Sequence, residues 1–203
     1  MGFPSLNIQI MDKFFLKSLS DKVWNTKNAR FTASRKMRRN KYSSNIMITS
    51  LSAYIIIINL LVYTDKFKAV NAQITILTIV LSILVLVVTL MINQVEYEKK
   101  ENNYHSCGVE LDQLNQELRI LLEDSSEPNL DKKKELLNKY YNILLKYNLN
   151  HTVFDYEYAK EKSENCVSVG SWLRWNFLEM HALYYLGTII IAVVTYILII
   201  TSL

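Results

Sequence analysis

Three long apolar runs limit the possible fold more than any other feature of this sequence. They cover Asn45 to Tyr63, Ala72 to Ile92 and Leu183 to Leu203, and none contains Lys, Arg, Asp or Glu. Each run has about 20 residues, which is the length of a helix that crosses a hydrocarbon core of about 30 Å. Buried helices of soluble proteins are usually shorter and keep a polar face. The sequence therefore predicts an all-α integral membrane protein with three transmembrane helices.

The composition indicates helix along the rest of the chain as well. Only four of the 203 residues are Gly and two are Pro, which disfavours disorder and folds with many tight turns. The first apolar run begins far from the start of the chain and is too long for a signal peptide, so we expect a retained anchor. Cys107 and Cys166 are expected to be reduced thiols on the cytoplasmic side.

Basic residues are distributed unevenly around the first two apolar runs. Eight Lys or Arg residues lie between Lys22 and Lys41, whereas the connection from Thr64 to Asn71 holds only Lys66 and Lys68. The positive-inside rule therefore places the N-terminus in the cytoplasm and the short connection outside. The region between the second and third runs is then cytoplasmic.

These patterns divide the chain into four predicted segments. They are a basic N-terminal helical segment (1–44), a transmembrane helical hairpin (45–92), a cytoplasmic helical hairpin domain (93–170), and an interfacial helix with the third transmembrane helix (171–203). Trp172 and Trp175 indicate the interfacial helix, because indole rings favour the headgroup layer of a membrane.

Two amphipathic patterns predict the cytoplasmic hairpin. From Tyr97 the apolar residues alternate at spacings of three and four, and they form a seam that continues from the second apolar run. The seam includes Leu111, Leu114, Leu118 and Leu121. Ser, Pro and Asn between Glu123 and Asp131 end this helix, and the apolar positions from Leu130 to Tyr147 predict a second one. The seam can pack within the hairpin or against another subunit, and the sequence leaves both possibilities open.

One pair of polar residues follows this hairpin. His151 and Asp155 are four positions apart, so they would share a helix face and form an imidazole–carboxylate hydrogen bond. No nucleophile motif, glycine-rich phosphate loop or paired acid lies nearby, so we interpret the pair as a structural polar clamp. We expect no catalytic residue, no metal and no cofactor, and therefore a protein that is not an enzyme.

Each apolar run carries one mildly polar stripe. In the first two runs the pore-lining candidates are Thr49, Ser52, Asn59, Thr75, Thr78, Ser82 and Thr89. The stripes are either contact surfaces between helices or, if several subunits assemble, the lining of a narrow pore. Because the runs contain no charged residue, such a pore would be weakly selective, and a transporter or pump is disfavoured.

A basic stretch precedes the first run. Its cationic side chains are Arg30, Arg35, Lys36, Arg38, Arg39 and Lys41. We expect them to bind anionic membrane lipid or, alternatively, to contact a nucleotide or nucleic acid.

Four sequence elements in a fixed order resemble a known family. They are VWNTKNARFTASRKMRR before the first run, SLSAYIIIINLL within it, YHSCGVELDQLNQEL after the second run, and KYYNILLKYNLNHTVFDYEYAK. Together they resemble the SLATT family, the SMODS- and SLOG-associating two-transmembrane effectors of bacteria. The likeness covers Val23 to about Lys160. The third run departs from the two-span pattern and is similar to a three-span subgroup whose genes lie beside reverse transcriptases.

The resemblance implies a multi-pass effector of antiviral defence in the bacterial inner membrane. A nucleotide-signal synthase or a reverse transcriptase encoded nearby would trigger it. The effector would then oligomerise or open, depolarise the cell and stop phage growth, as in abortive infection. The alternative is a non-conducting oligomeric membrane scaffold that recruits a cytoplasmic enzyme. The seam and the polar stripes predict a homo-oligomer.

Overall fold

The computed structural model describes residues 4–61, 63, 71–124 and 129–178, and the single positions 189, 192, 193, 196 and 200. The described part of the chain is all-helical, as the sequence predicts. Its elements in chain order are α1 (Pro4–Leu61), α2 (Asn71–Gln94), α3 (Tyr97–Glu123), α4 (Leu130–Tyr147), α5 (Val153–Ser163), α6 (Val169–Leu173) and a π-helical segment (Arg174–Leu178).

The break between α2 and α3 differs from the sequence expectation, which has the seam helix continuing from the second apolar run. Val95 and Glu96 donate their backbone N–H groups to carbonyls three residues earlier, which tightens the end of α2. Glu96 then adopts a left-handed backbone with φ of 51°. This conformation cannot continue a right-handed helix, so α3 starts anew at Tyr97.

Side-chain caps set the limits of α4 and α5. The Asn129 side chain accepts a hydrogen bond from the Lys132 N–H at 2.9 Å and starts α4. Asn148, in the left-handed region, donates its N–H to the Leu144 carbonyl and ends that helix. Thr152 caps α5. Polar residues at these places therefore explain why the helices begin and end there.

The chain divides into two compact units, and each unit combines segments that are distant in sequence. The first unit comprises Met1–Lys36 and Lys99–Ser171, and the second comprises Met37–Glu98 and Trp172–Leu203. Most of the predicted basic segment, residues 1–44, therefore belongs to the same unit as α3, α4 and α5. The division into four segments along the sequence stays a prediction.

The first unit has a core made by α1, α3 and α4. Its buried members are Leu16, Leu19, Val23, Cys107, Leu111, Leu114, Leu118, Leu136, Tyr140 and Ile143, with Leu121 partly buried beside them. Each fully buried Leu contributes about 1.5–3 kcal/mol. Ion pairs join α3 to α4 in antiparallel order, since Glu110 pairs with Lys146 and Glu117 with Lys139. The chain itself therefore covers most of the predicted seam.

One glycine permits a close approach of α1 and α3 in the first unit. A Cβ atom added at Gly108 would lie 2.8 Å from Cε1 of Phe31, which is closer than non-bonded carbons approach. The Phe31 ring also contacts the His105 ring, with 5.7 Å between the ring centroids. The missing side chain at Gly108 is therefore what accommodates the Phe31 ring.

The second unit contains the first two apolar runs, which lie in the last part of α1 and in α2. Both helices are long and apolar enough to cross a membrane. They contact each other through Ile58 and Ile74, with Tyr54 packed beside them. Most of the third predicted span, Leu183–Leu203, lies outside the described residues. One of its described positions contacts α1, because the Tyr54 hydroxyl donates to the Ala192 carbonyl at 3.3 Å.

Candidate functional site

The first unit contains a buried ion pair. Lys36 on α1 donates from Nζ to Oδ1 of Asp155 on α5 at 2.7 Å. The two side chains are only 6% and 3% exposed. Removing charges from water is costly, so such a pair persists only with good geometry and further hydrogen bonds. The pair joins α1 to α5 through two residues that are 119 positions apart in sequence.

The further hydrogen bonds of Asp155 come from the start of α5. Its Oδ2 accepts from the Thr152 N–H at 3.0 Å, and the Asp155 N–H donates to Thr152 Oγ1 at 3.2 Å, which completes a capping box. The sequence predicts instead a clamp between His151 and Asp155. His151 precedes α5, so the two side chains do not share a helix face, and the Asp155 carboxylate binds Lys36 and the cap.

Arg30 lies about 1.7 turns before Lys36 on α1 and is also buried, with 4% of its surface exposed. Its guanidinium carbon lies 5.8 Å from the centroid of the Tyr104 ring on α3. The Tyr104 hydroxyl donates to the Asn150 carbonyl at 2.7 Å. Neither Nε nor Nη1 of Arg30 has a hydrogen-bond partner among the described residues. A buried cation with open donors is unusual, because the aromatic ring and a hydrogen bond to Cys107 offset only part of its desolvation.

Burial controls the protonation of the groups around Arg30. It raises the pKa of the Tyr104 hydroxyl and of the Cys107 thiol, although the Arg30 charge acts in the opposite direction. Both groups are therefore neutral near pH 7. Burial also lowers the pKa of His151, and the Arg30 charge lowers it further, whereas Asp155 acts against this shift. His151 Nδ1 is buried and has no partner within the described part of the chain.

The pKa of His151 predicts how the first unit responds to acid. The folded pKa lies below the ordinary value of 6.5, so the unfolded chain binds more protons once the pH falls below about that value. We expect the thermal midpoint to fall as the pH drops from 7.5 through 6.5 towards 5.5. His151→Gln should flatten this dependence, because glutamine does not titrate. Thermal unfolding in detergent across this pH range measures both, and an equally steep profile in the variant would contradict the assignment.

The six basic residues before the first apolar run occupy different environments. Arg30 and Lys36 are buried in the first unit, whereas Arg35 is exposed there. In the second unit Arg38 is exposed, Arg39 donates to the Asn176 side chain at 3.1 Å, and Lys41 pairs with Glu98 at 2.7 Å. A continuous helix turns 100° per residue and spreads this set around its axis. Two of the six cations therefore lie in the interior of the first unit, and contact of the set with lipid or nucleotide stays a prediction.

The second unit contains a polar stripe shared by α1 and α2. Thr78 Oγ1 donates to Asn59 Oδ1 at 3.0 Å, and Asn59 Nδ2 donates to the Ile55 carbonyl at 3.0 Å. Thr75 and Ser82 are exposed on the same face of α2 as the buried Thr78. The Thr75, Ser82 and Thr89 hydroxyls each donate to a carbonyl four residues earlier. On α1 the remaining candidates are Thr49, which is exposed, and Ser52, which is half-buried.

Sequence reasoning missed the most distinctive contacts of the first unit. It treated Arg30 and Lys36 as surface cations, and nothing local links Lys36 to Asp155. One signal was available, since Ala29, Arg30, Ala33 and Lys36 recur at spacings that place small residues beside these cations on one helical face. Small neighbours allow another helix to approach and cover the long side chains. Within the described ranges, no three His, Cys, Asp or Glu side chains lie together as a metal site.

These observations show that the described part of the chain is all-helical and includes two helices that are long and apolar enough to cross a membrane. The sequence profile of the SMODS and SLOG-associating 2TM effector domain family 5 matches residues 12–202, and the chain therefore belongs to this family of two-transmembrane effectors. The family is associated with defence systems, and the match confirms the resemblance drawn from the sequence. Searches among curated proteins and among solved structures gave no match.

Proposed function

We propose that the protein oligomerises in the bacterial inner membrane and depolarises it when a partner enzyme, or the nucleotide or nucleic-acid product of that enzyme, triggers it. The end of α1, α2 and the third apolar run span the membrane in this proposal. The N-terminus and the α3–α4 hairpin are cytoplasmic. The excess of basic residues before the first run supports this orientation. Membership of an effector family that is associated with defence supports the role in immunity.

The hydrogen bond between Thr78 and Asn59 is the observation that carries the proposal. It brings the side-chain amide of Asn59 against the hydroxyl stripe of α2. Thr75 and Ser82 leave this stripe partly exposed on the single chain. When several copies assemble with their stripes inward, these oxygens line one path and can bind water there.

The rest of α2 suits contact with acyl chains. Its exposed apolar residues recur at helical spacing and include Ile76, Ile79, Ile83, Leu86 and Leu90. The helix contains no Lys, Arg, Asp or Glu. A path lined by these helices therefore has no charged ring, so it discriminates weakly among ions and closes by dewetting at apolar positions.

A scaffold that conducts nothing is the second candidate, and one observation favours it. The hydroxyls of Thr75, Ser82 and Thr89 donate to carbonyls of their own helix, so they need no water to satisfy their donors. On this hypothesis the stripe only joins helices, and the protein recruits a cytoplasmic enzyme to the membrane.

Asn59→Leu and Thr78→Val separate the two functions. Both changes remove the hydrogen bond between α1 and α2, but only Asn59→Leu removes the amide from the proposed path. We expect Asn59→Leu to insert and cross-link like wild type and to abolish most of the depolarisation. Thr78→Val should keep much of it, because the lost bond is worth only about 0.6–2 kcal/mol in a membrane. A membrane-potential dye in bacteria that overproduce each variant, with cross-linking of oligomers, provides the measurement.

Ile57→Leu is the matched control, since Ile57 is an exposed neighbour of Asn59 on α1 and the change adds no polar group. It should behave as wild type in both assays. Growth arrest by the wild-type protein without any change in dye signal would exclude depolarisation and leave the scaffold. Equal loss of cross-linking in Asn59→Leu and Thr78→Val would assign Asn59 to helix contact alone.

A further inference from the structure

We infer that the first unit binds a small oxyanion such as a phosphate group, held by Arg30 of α1 together with His151 of the connection before α5. The inference goes beyond the proposed function, because it concerns binding in the first unit and needs no conducting path. It starts from the buried guanidinium of Arg30, whose Nε and Nη1 find no acceptor among the described residues.

The groups around Arg30 do not supply the missing negative charge. Asp155 is held by Lys36 at 2.7 Å and by the N–H of Thr152 at 3.0 Å, and Glu110 on α3 pairs with Lys146. The Tyr104 hydroxyl donates its proton to the Asn150 carbonyl. Cys107 is fully buried, and burial raises the pKa of its thiol, so the sulfur stays uncharged at neutral pH. The cluster thus keeps an uncompensated positive charge.

His151 provides the second open position of the cluster. Its Nδ1 atom is buried and lacks a partner within the described ranges, whereas the ring itself stacks on Tyr156. Tyr104 links His151 to Arg30, because its ring lies 5.8 Å from the Arg30 guanidinium carbon and its hydroxyl binds the carbonyl of Asn150, the residue directly before His151. A neutral imidazole with its proton on Nδ1 donates one hydrogen bond, and a guanidinium donates several in a fixed plane. Such a donor set suits an oxyanion with several acceptor oxygens.

Inorganic phosphate, added to the full-length protein in detergent at constant ionic strength, tests the shared chemistry of this site. Because a ligand that binds only the folded state stabilises it by mass action, we expect the thermal midpoint to rise by about 3 °C or more at saturation. Arg30→Gln should lose this rise. Arg38→Gln is the matched control, because Arg38 is an exposed arginine of the same helix, and it should keep the rise. Equal rises in wild type and Arg30→Gln, or none in wild type, would overturn the inference.

His151→Gln keeps the inference testable if Arg30→Gln does not fold. It retains the guanidinium and should reduce the phosphate affinity several-fold in calorimetry, and an unchanged affinity would remove His151 from the site. Two further arms identify the source of the phosphate. A midpoint that rises with adenosine monophosphate supports a soluble ligand, whereas a higher midpoint in phosphatidylglycerol than in phosphatidylcholine nanodiscs supports a lipid headgroup. Each effect must disappear in Arg30→Gln, since an effect that persists there argues against the site.

Discussion

Leu114→Glu is expected to unfold the first unit. Leu114 has no exposed surface and lies in the core that α1, α3 and α4 share. Loss of a buried Leu side chain costs about 2–5 kcal/mol, and an unpaired carboxylate in its place adds a further desolvation cost. The sum approaches the total stability of a typical domain, about 5–15 kcal/mol. Hydrogen–deuterium exchange of the α3 and α4 backbone amides in detergent should show loss of protection in this variant.

Leu145→Glu is the control for this experiment, because Leu145 lies on α4 and is 75% exposed. It introduces the same carboxylate and should leave the exchange of α3 and α4 unchanged. A different result is informative about the seam. If Leu114→Glu keeps its protected amides and only separates an oligomer, the seam packs between subunits, which is the other possibility that the sequence leaves open.

Removal of one partner of the Lys36–Asp155 pair is expected to produce the second large effect. Lys36→Met leaves the Asp155 carboxylate buried without its cation, and breaking a buried pair costs about 3–5 kcal/mol. The midpoint of thermal unfolding should therefore fall by several degrees. Asp155→Leu should destabilise the unit further, because it also removes the capping box at the start of α5.

Lys41 and Glu98 form a matched pair with the same 2.7 Å separation, but their side chains are 39% and 70% exposed. Lys41→Met should change the midpoint little, because water screens exposed pairs. The double variant Lys36→Met with Asp155→Leu completes a thermodynamic cycle and should be more stable than the sum of the single effects predicts. If the single effects simply add, the two side chains do not interact as the geometry indicates.

Much of the fold follows from local patterns in the sequence. An uncharged run that is long enough to cross a bilayer predicted α2. The Ser, Pro and Asn residues after Glu123 predicted the end of α3. Periodic apolar positions identified the seam leucines, because a helix brings every third or fourth residue to one face. The break at Glu96 was not predicted, since glutamate has no general preference for a left-handed backbone.

The polar cluster was harder to predict, because its contacts join residues that are distant in sequence. Lys36 and Asp155 meet only when α1 and α5 pack together. A periodic pattern does not show which buried cation pairs with which carboxylate. The histidine and the aspartate were found by their spacing of four, but that spacing applies within one helix. Because α5 begins at Val153, His151 lies before the helix, and the described partners of the Asp155 carboxylate are Lys36 and Thr152.

The contact between Phe31 and Gly108 makes the two positions depend on each other during evolution. Any side chain at Gly108 meets the Phe31 ring, and the His105 ring beside it limits how far Phe31 can turn away. A lineage that acquires alanine at position 108 must therefore move the Phe31 ring or replace it with a smaller residue to keep the helices at the same distance. Substitutions at these two sites should appear together among descendants of this sequence. A smaller residue should replace Phe31 first, and a larger residue should then replace Gly108.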